Sequence, residues 1–117
     1  MNNRKIGTIY EDKACEYLKG LGYIIIERNF RGKRGEIDII ARDNHTLVFV
    51  EVKYRTSNAK GFPEEAVTYA KQKTIMGVAS YYLLKNGLHD KVNVRFDVIA
   101  MYFDESVNHI KNAFGGM

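Results

Sequence analysis

Asp38 precedes Glu51-Val52-Lys53 by thirteen positions, and both stand inside apolar runs rich in β-branched residues, Gly35 to Ala41 and Leu47 to Lys53. Two carboxylates and an ammonium in such surroundings are costly to desolvate unless a partner or a bound cation compensates them. Oxygen ligands select hard cations, and Mg²⁺ takes one or two carboxylates, keeps several waters and accepts a phosphate oxygen. Asp38 and Glu51, completed by the main-chain carbonyl of Val52, are therefore a candidate Mg²⁺ site in which Mn²⁺ would substitute. Lys53 is not a ligand in this scheme. It would orient an attacking water or offset charge in the transition state. The chemistry predicted is phosphodiester hydrolysis.

Strand parity brings the carboxylates together. Side chains alternate faces along a strand, so Glu36, Asp38 and Ile40 are predicted on one face, and Phe49, Glu51 and Lys53 on one face of the next strand. Asp43-Asn44-His45 supplies turn residues between the two runs, which predicts an antiparallel hairpin. A four-residue loop over 43–46 pairs Arg42 with Leu47, sets Asp38 opposite Glu51 and sets Glu36 opposite Lys53. Opposed Cβ atoms lie about 4.5–5.5 Å apart, close enough for two carboxylates to share one ion and to repel strongly without it. A slip of one residue would separate them.

The elements around this hairpin follow from periodicity. Tyr10, Ala14, Tyr17, Leu18 and Leu21 recur at helical spacing, and Gly20 and Gly22 mark a helix end. Tyr23 to Phe30 reads as a strand, and Arg31-Gly32-Lys33-Arg34-Gly35 as the turn into the hairpin. Pro63 with Glu64-Glu65 predicts the opening of a long helix that runs to Lys85 and closes at Asn86-Gly87. Val92 to Tyr102 reads as another strand, with 107–110 as a short partner. The predicted order is α-β-β-β-α-β, an α/β domain with a mixed central sheet flanked by helices.

Composition bounds the remainder. The 117 residues are expected to form one domain, 1–117, with a single core. One cysteine, Cys15, rules out an intramolecular disulfide framework and reads as a small buried apolar residue. No apolar run has signal-peptide or membrane-span length, so a cytoplasmic location without membrane contact is expected. Eighteen Lys and Arg against fourteen Asp and Glu give a net charge of +4, which favours a polyanionic partner. Arg28 to Arg34 carries four cations just before Asp38, and Arg55 follows Lys53. Their expected work is holding phosphates, against the alternative of a solvated basic loop. His45, His89 and His109 are scattered without zinc-ligand spacing, and Tyr10, Tyr17, Tyr69, Tyr81 and Tyr82 read as core or rim residues. Arg95 and Asp97 read as pairing with neighbours along the sheet, with a structural role for Asp97.

Asp38 with Glu51-Val52-Lys53 resembles the Asp…(Glu)-x-Lys signature of the restriction-endonuclease-like superfamily, which includes archaeal Holliday-junction resolvases. The ordered set Glu11, Asn29-Phe30-Arg31, Gly35-Glu36-Ile37-Asp38, Phe49 to Lys53, Ala66-Val67, Lys71-Gln72, Arg95 to Val98 and Ile110 to Phe114 is similar, over nearly the whole chain, to the bacterial YraN-like endonuclease-like family. The resemblance implies a restriction-endonuclease-like fold and an endonuclease acting on DNA, with branched DNA suggested by the resolvases. It also implies an accessory site role for Glu11, which by itself only borders the apolar face of the first helix, and contacts to phosphate from Lys71 and Gln72. Two other classes stand beside this one: a non-catalytic nucleic-acid-binding module, and a structural partner in a DNA-processing complex. The sequence leaves oligomeric state open, a homodimer included.

Overall fold

The computed structural model describes residues 3–55 and 67–115, with side chains from residue 6 onward. Helix α1 (Asn3–Gly20) is followed by strands β1 (Ile24–Arg31), β2 (Glu36–Asp43) and β3 (Thr46–Arg55), helix α2 (Tyr69–Lys85), and strands β4 (Asn93–Tyr102) and β5 (Val107–Phe114). The strands form one sheet in the order β1-β2-β3-β4-β5. Neighbours are antiparallel except β3 and β4, which run parallel. A parallel pair needs a long crossover, and α2 lies in it.

Both helices end in the same way. Gly22, at φ +93°, donates to Lys19 O while Tyr23 donates to Leu18 O, and Gly87, at φ +67°, donates to Leu84 O while Leu88 donates to Leu83 O. Glycine takes the left-handed position that lets these two bonds satisfy the last carbonyls. The start of α2 differs from the expected opening at Pro63. Residues 63–65 lie outside the described residues, but Val67 and Thr68 are not helical, and Thr68 caps α2 by accepting the Lys71 N–H at 3.1 Å. Leu21, expected on the apolar face of α1, is exposed because the chain has already left the helix.

The sheet has a core on each face. Ala14, Cys15 and Leu18 of α1 pack on Ile39, Ala41, Val48, Val50 and Ile99, while Ile75, Val78 and Tyr82 of α2 pack on Ile40, Leu47, Phe49, Phe96 and Val98. β3 contributes alternate residues to both, and β2 and β4 flank it. This is the mixed sheet between helices expected of a restriction-endonuclease-like fold. The second strand after α2 is longer than anticipated and completes the sheet as β5. No helix among the described residues is long and apolar enough to cross a membrane.

Candidate active site

The β2–β3 hairpin has the expected register. Arg42 pairs with Leu47 and Ile39 with Val50, and the additional pair Asp43–Thr46 leaves a two-residue turn with Asn44 at φ +54°. Strict alternation along β2, however, does not hold. Ile40 packs on the α2 side and Ile39 and Ala41 on the α1 side, yet Ile37 packs on the α2 side. The interruption falls at Asp38. Across the β1–β2 ladder the same switch occurs between Arg28, which pairs with Glu11 and Asp12 of α1, and Phe30, which packs against Tyr82 of α2. The residue between them, Asn29, has φ +54°. Asparagine is among the few residues that enter the left-handed region readily, so the switch has a local cause in the sequence.

This switch sets the surroundings of Asp38. Its Oδ2 accepts the Val52 N–H at 2.8 Å, beyond the last β2–β3 pair. Burial above all, and then the negative charge of Glu51, push the Asp38 carboxyl up to about 7; the Val52 N–H opposes the shift, while the hydrogen bond with Glu51 and the charge of Glu36 add to it. Glu51 is buried in the centre of the sheet, and Lys53 Nζ lies 3.6 Å from its Oε1. Glu36 does not stand opposite Lys53. It faces Arg31 across β1, 3.2 Å from the guanidinium Nε, because the β2–β3 ladder has ended by that point.

Glu11 approaches from α1. Its carboxyl is also raised, by burial and then by the charge of Asp38, and is drawn back by the Asn29 side chain and Arg28. Glu11 Oε1 lies 3.6 Å from Arg28, which binds Asp12 more closely at 2.8 Å, and this buried oxygen has no hydrogen-bond partner among the described residues. Tyr10 of α1 stacks on Tyr54 at 4.2 Å between ring centres and covers the β3 end beyond Lys53.

An orphaned carboxylate oxygen on Glu11, near an Asp38 carboxyl raised by burial and by the charge of Glu51, marks a place short of positive charge. All the donors are hard oxygens, so the residues fit Mg²⁺ or Mn²⁺. Among the described residues no three acidic, His or Cys side chains converge closely enough to hold an ion by themselves. Asp38 and Glu51 with the Val52 carbonyl and water are the set that fits, and Glu11 stands outside it.

The basic residues surround a groove between the β1–β2 turn and α2. Its volume is about 850 Å³, and Arg31, Lys33, Arg34, Lys73 and Tyr81 are among the residues lining it. Close approach of the turn to α2 depends on glycine: a Cβ on Gly35 would lie 2.6 Å from Thr74 Cγ2, and one on Gly32 would lie 3.3 Å from Val78 Cγ2. Lys71 and Gln72 do not line the groove. Gln72 Nε2 donates to Val67 O at 3.0 Å, and Lys71 is half-buried in the first turn of α2. Arg55 ends β3, where its carbonyl accepts from Phe103 N at 3.2 Å.

A second polar cluster was only partly legible in the sequence. Asp97, with no exposed surface, accepts from Arg95 at 2.9 and 3.0 Å, from the Asn112 N–H at 3.0 Å, and lies 2.7 Å from His109 Nε2. Arg95 also reaches Asp43 at 3.0 Å and the Tyr23 hydroxyl at 2.6 Å, and Tyr17 meets His109 Nδ1 at 3.2 Å. Asp97 thus pairs with neighbours along the sheet, as expected. His109 was missed as a member because an isolated His in an edge strand carries no sequence signal; its pairing opposite Ile99 brings it there.

The chain is similar to a set of bacterial proteins that carry one description. A UPF0102 protein of Lachnoclostridium phytofermentans is 53% identical over 114 residues, spanning 97% of this chain and 96% of that relative. One from Alkaliphilus oremlandii is 53% identical over 116 residues, covering 96% of this chain and 99% of its own length. A Clostridium botulinum relative is 49% identical over 117 residues, 96% of this chain and 95% of its own. The family model described as uncharacterised protein family UPF0102 matches residues 10–101, from the site's Tyr10 and Glu11 through Asp38, Glu51 and Lys53 to the end of the Asp97 strand. This chain belongs to the UPF0102 family, the YraN-like family that its ordered motifs resemble.

Proposed function

We propose that the protein is a metal-dependent endonuclease that hydrolyses DNA phosphodiester bonds, with Mg²⁺ as its ion. One observation carries this: Asp38 and Glu51 are held together in the sheet with the Asp38 carboxyl raised to about 7, an arrangement that is costly for folding and apt for binding a cation. When bound, Mg²⁺ supplies Lewis-acid polarisation of the phosphoryl group and a more acidic water. Asp38 and Glu51 would hold it through carboxylate oxygens, and the hydrogen bond from Val52 N–H fixes the Asp38 carboxylate in place. Lys53, beside Glu51, presents an ammonium to the scissile phosphate and offsets charge as it builds. Glu11 borders the pocket from α1, where its own carboxyl feels the charge of Asp38.

The test is cleavage of labelled flap, four-way-junction and single-stranded DNA in Mg²⁺. Wild-type protein should cut at least one of them, and Asp38→Asn and Glu51→Gln should each lose activity by about a hundredfold or more, the scale seen when a single charge-stabilising group is removed. Binding without cleavage in either Mg²⁺ or Mn²⁺ would replace this function with that of a nucleic-acid-binding module.

A further inference from the structure

We propose that the groove between the β1–β2 turn and α2 holds a single strand of DNA, with a base over Gly77 against Tyr81 and phosphates on Lys33, Arg34 and Lys73. This rests on the nuclease function above and adds the form of DNA that function acts on. The turn feeds directly into β2, so Arg34 stands only four residues before Asp38.

Three features point to a single strand. The first is size: about 850 Å³ falls within the range of pockets that enclose a small ligand, which suits one or two nucleotides and not a duplex. The second is charge. Arg31, Lys33, Arg34 and Lys73 line the groove and, among the described residues, no acidic residue does; Arg31 is engaged by Glu36, while Lys33 and Arg34 are exposed. The third is the floor. Lys73, Gly77 and Tyr81 recur every four residues along one side of α2, and the half-exposed Tyr81 ring is braced by Phe30 at 5.9 Å. A cationic groove with an aromatic platform is the usual means of holding unpaired nucleotides without sequence preference.

Gly77 is the most informative residue. Glycine is a poor helix former, yet a Cβ here would meet nothing within 4 Å, so packing does not require its absence. What the missing side chain does is leave open the floor next to Tyr81.

Fluorescence anisotropy of a labelled oligothymidylate of about ten nucleotides, in EDTA so that cleavage does not enter, tests the groove. Gly77→Met fills the floor and should weaken binding about tenfold or more while the melting temperature stays level or rises, since Met is the better helix former. Tyr81→Ala should weaken binding by about tenfold. Lys33→Ala combined with Lys73→Ala should lower the slope of log affinity against log salt by about 0.7 per lost contact, the value for a single strand. Unchanged affinity in Gly77→Met, or tighter binding of a blunt duplex than of the oligothymidylate, overturns the groove assignment. Groove-dependent binding by a wild type that cuts no DNA leaves the groove standing and removes the nuclease function instead.

Discussion

Asp38 is the residue on which the site turns, and its titration has a definite sign. Its carboxyl sits near 7 in the folded protein against an ordinary 3.8, so the folded state retains a proton that the unfolded chain has released. Asp38 therefore costs the fold nothing below about pH 4, and stability falls as pH rises from there to 7, by on the order of a few kcal/mol since each unit is worth about 1.4 kcal/mol. The melting temperature of wild-type protein is expected to drop between pH 5 and pH 8 more than that of Asp38→Asn, which keeps an acceptor for Val52 N–H. Mn²⁺ should raise the wild-type melting temperature markedly at pH 8 and little at pH 5, where protons compete for the carboxylates. Equal effects at the two pH values, or no effect, would sink the metal site. Lys53 has a different task. Lys53→Met should abolish Mg²⁺-dependent cleavage while Mn²⁺ affinity, read by calorimetry, is retained or raised, because a neighbouring cation has gone. Lys53→Arg separates roles, since guanidinium keeps the charge but does not release a proton. Activity surviving in that variant establishes electrostatic stabilisation, and its complete loss favours proton transfer.

At the scale of elements, the face switch at Asn29 and Asp38 matters more than the regular ladder. An uninterrupted β2 would send Asp38 to one core. The left-handed residue opposite it lets Phe30 and Ile37 cross to the α2 side, and the carboxylate is left between Glu11 of α1 and Glu51 of β3. Asn29→Ala keeps the Cβ but removes the short polar side chain that lets asparagine occupy the left-handed region, and should cost about 1 kcal/mol in urea denaturation, whereas Asn29→Gly should be close to neutral for the backbone. Both variants lose the side chain that holds Glu11, so both should show weaker cleavage. If Asn29→Ala unfolds at the wild-type urea concentration, the left-handed residue does not set the kink.

Across the whole molecule, two buried polar groups make opposite demands. Asp97 ties β4, β5, β2 and the link before β1 to α1 through Arg95, His109, Asp43, Tyr23 and Tyr17. Burial alone would raise its carboxyl, but His109, Arg95 and the Asn112 N–H outweigh burial and hold it below the ordinary range. Its contribution is therefore present above about pH 4 and lost as pH falls further, the opposite direction to Asp38, whose cost grows as pH rises from about 4 to 7. Asp97→Ala leaves the half-buried Arg95, His109 and the Asn112 N–H without their shared acceptor, and should destabilise the protein by about 3 kcal/mol in urea denaturation. A loss below about 1 kcal/mol would make the network incidental.

The sequence alone determined the strands, the antiparallel hairpin with Arg42 opposite Leu47, the helix ends at Gly22 and Gly87, and the burial of Cys15, because each follows from local periodicity or from backbone preferences of a few adjacent residues. Asp38, Glu51 and Lys53 stood out for the same reason, as charges in apolar runs. Tertiary structure decided the rest. Strict alternation could not show that Asp38 lies at a switch of faces, since Asn29 acts on it from another strand. The engagement of Glu36 by Arg31, the start of α2 at Tyr69, the membership of His109 in the Asp97 network and the facing of Lys73, Gly77 and Tyr81 toward the basic turn depend on contacts between segments distant in the chain. Such contacts form only when two elements dock, and no local pattern encodes which side chains then meet.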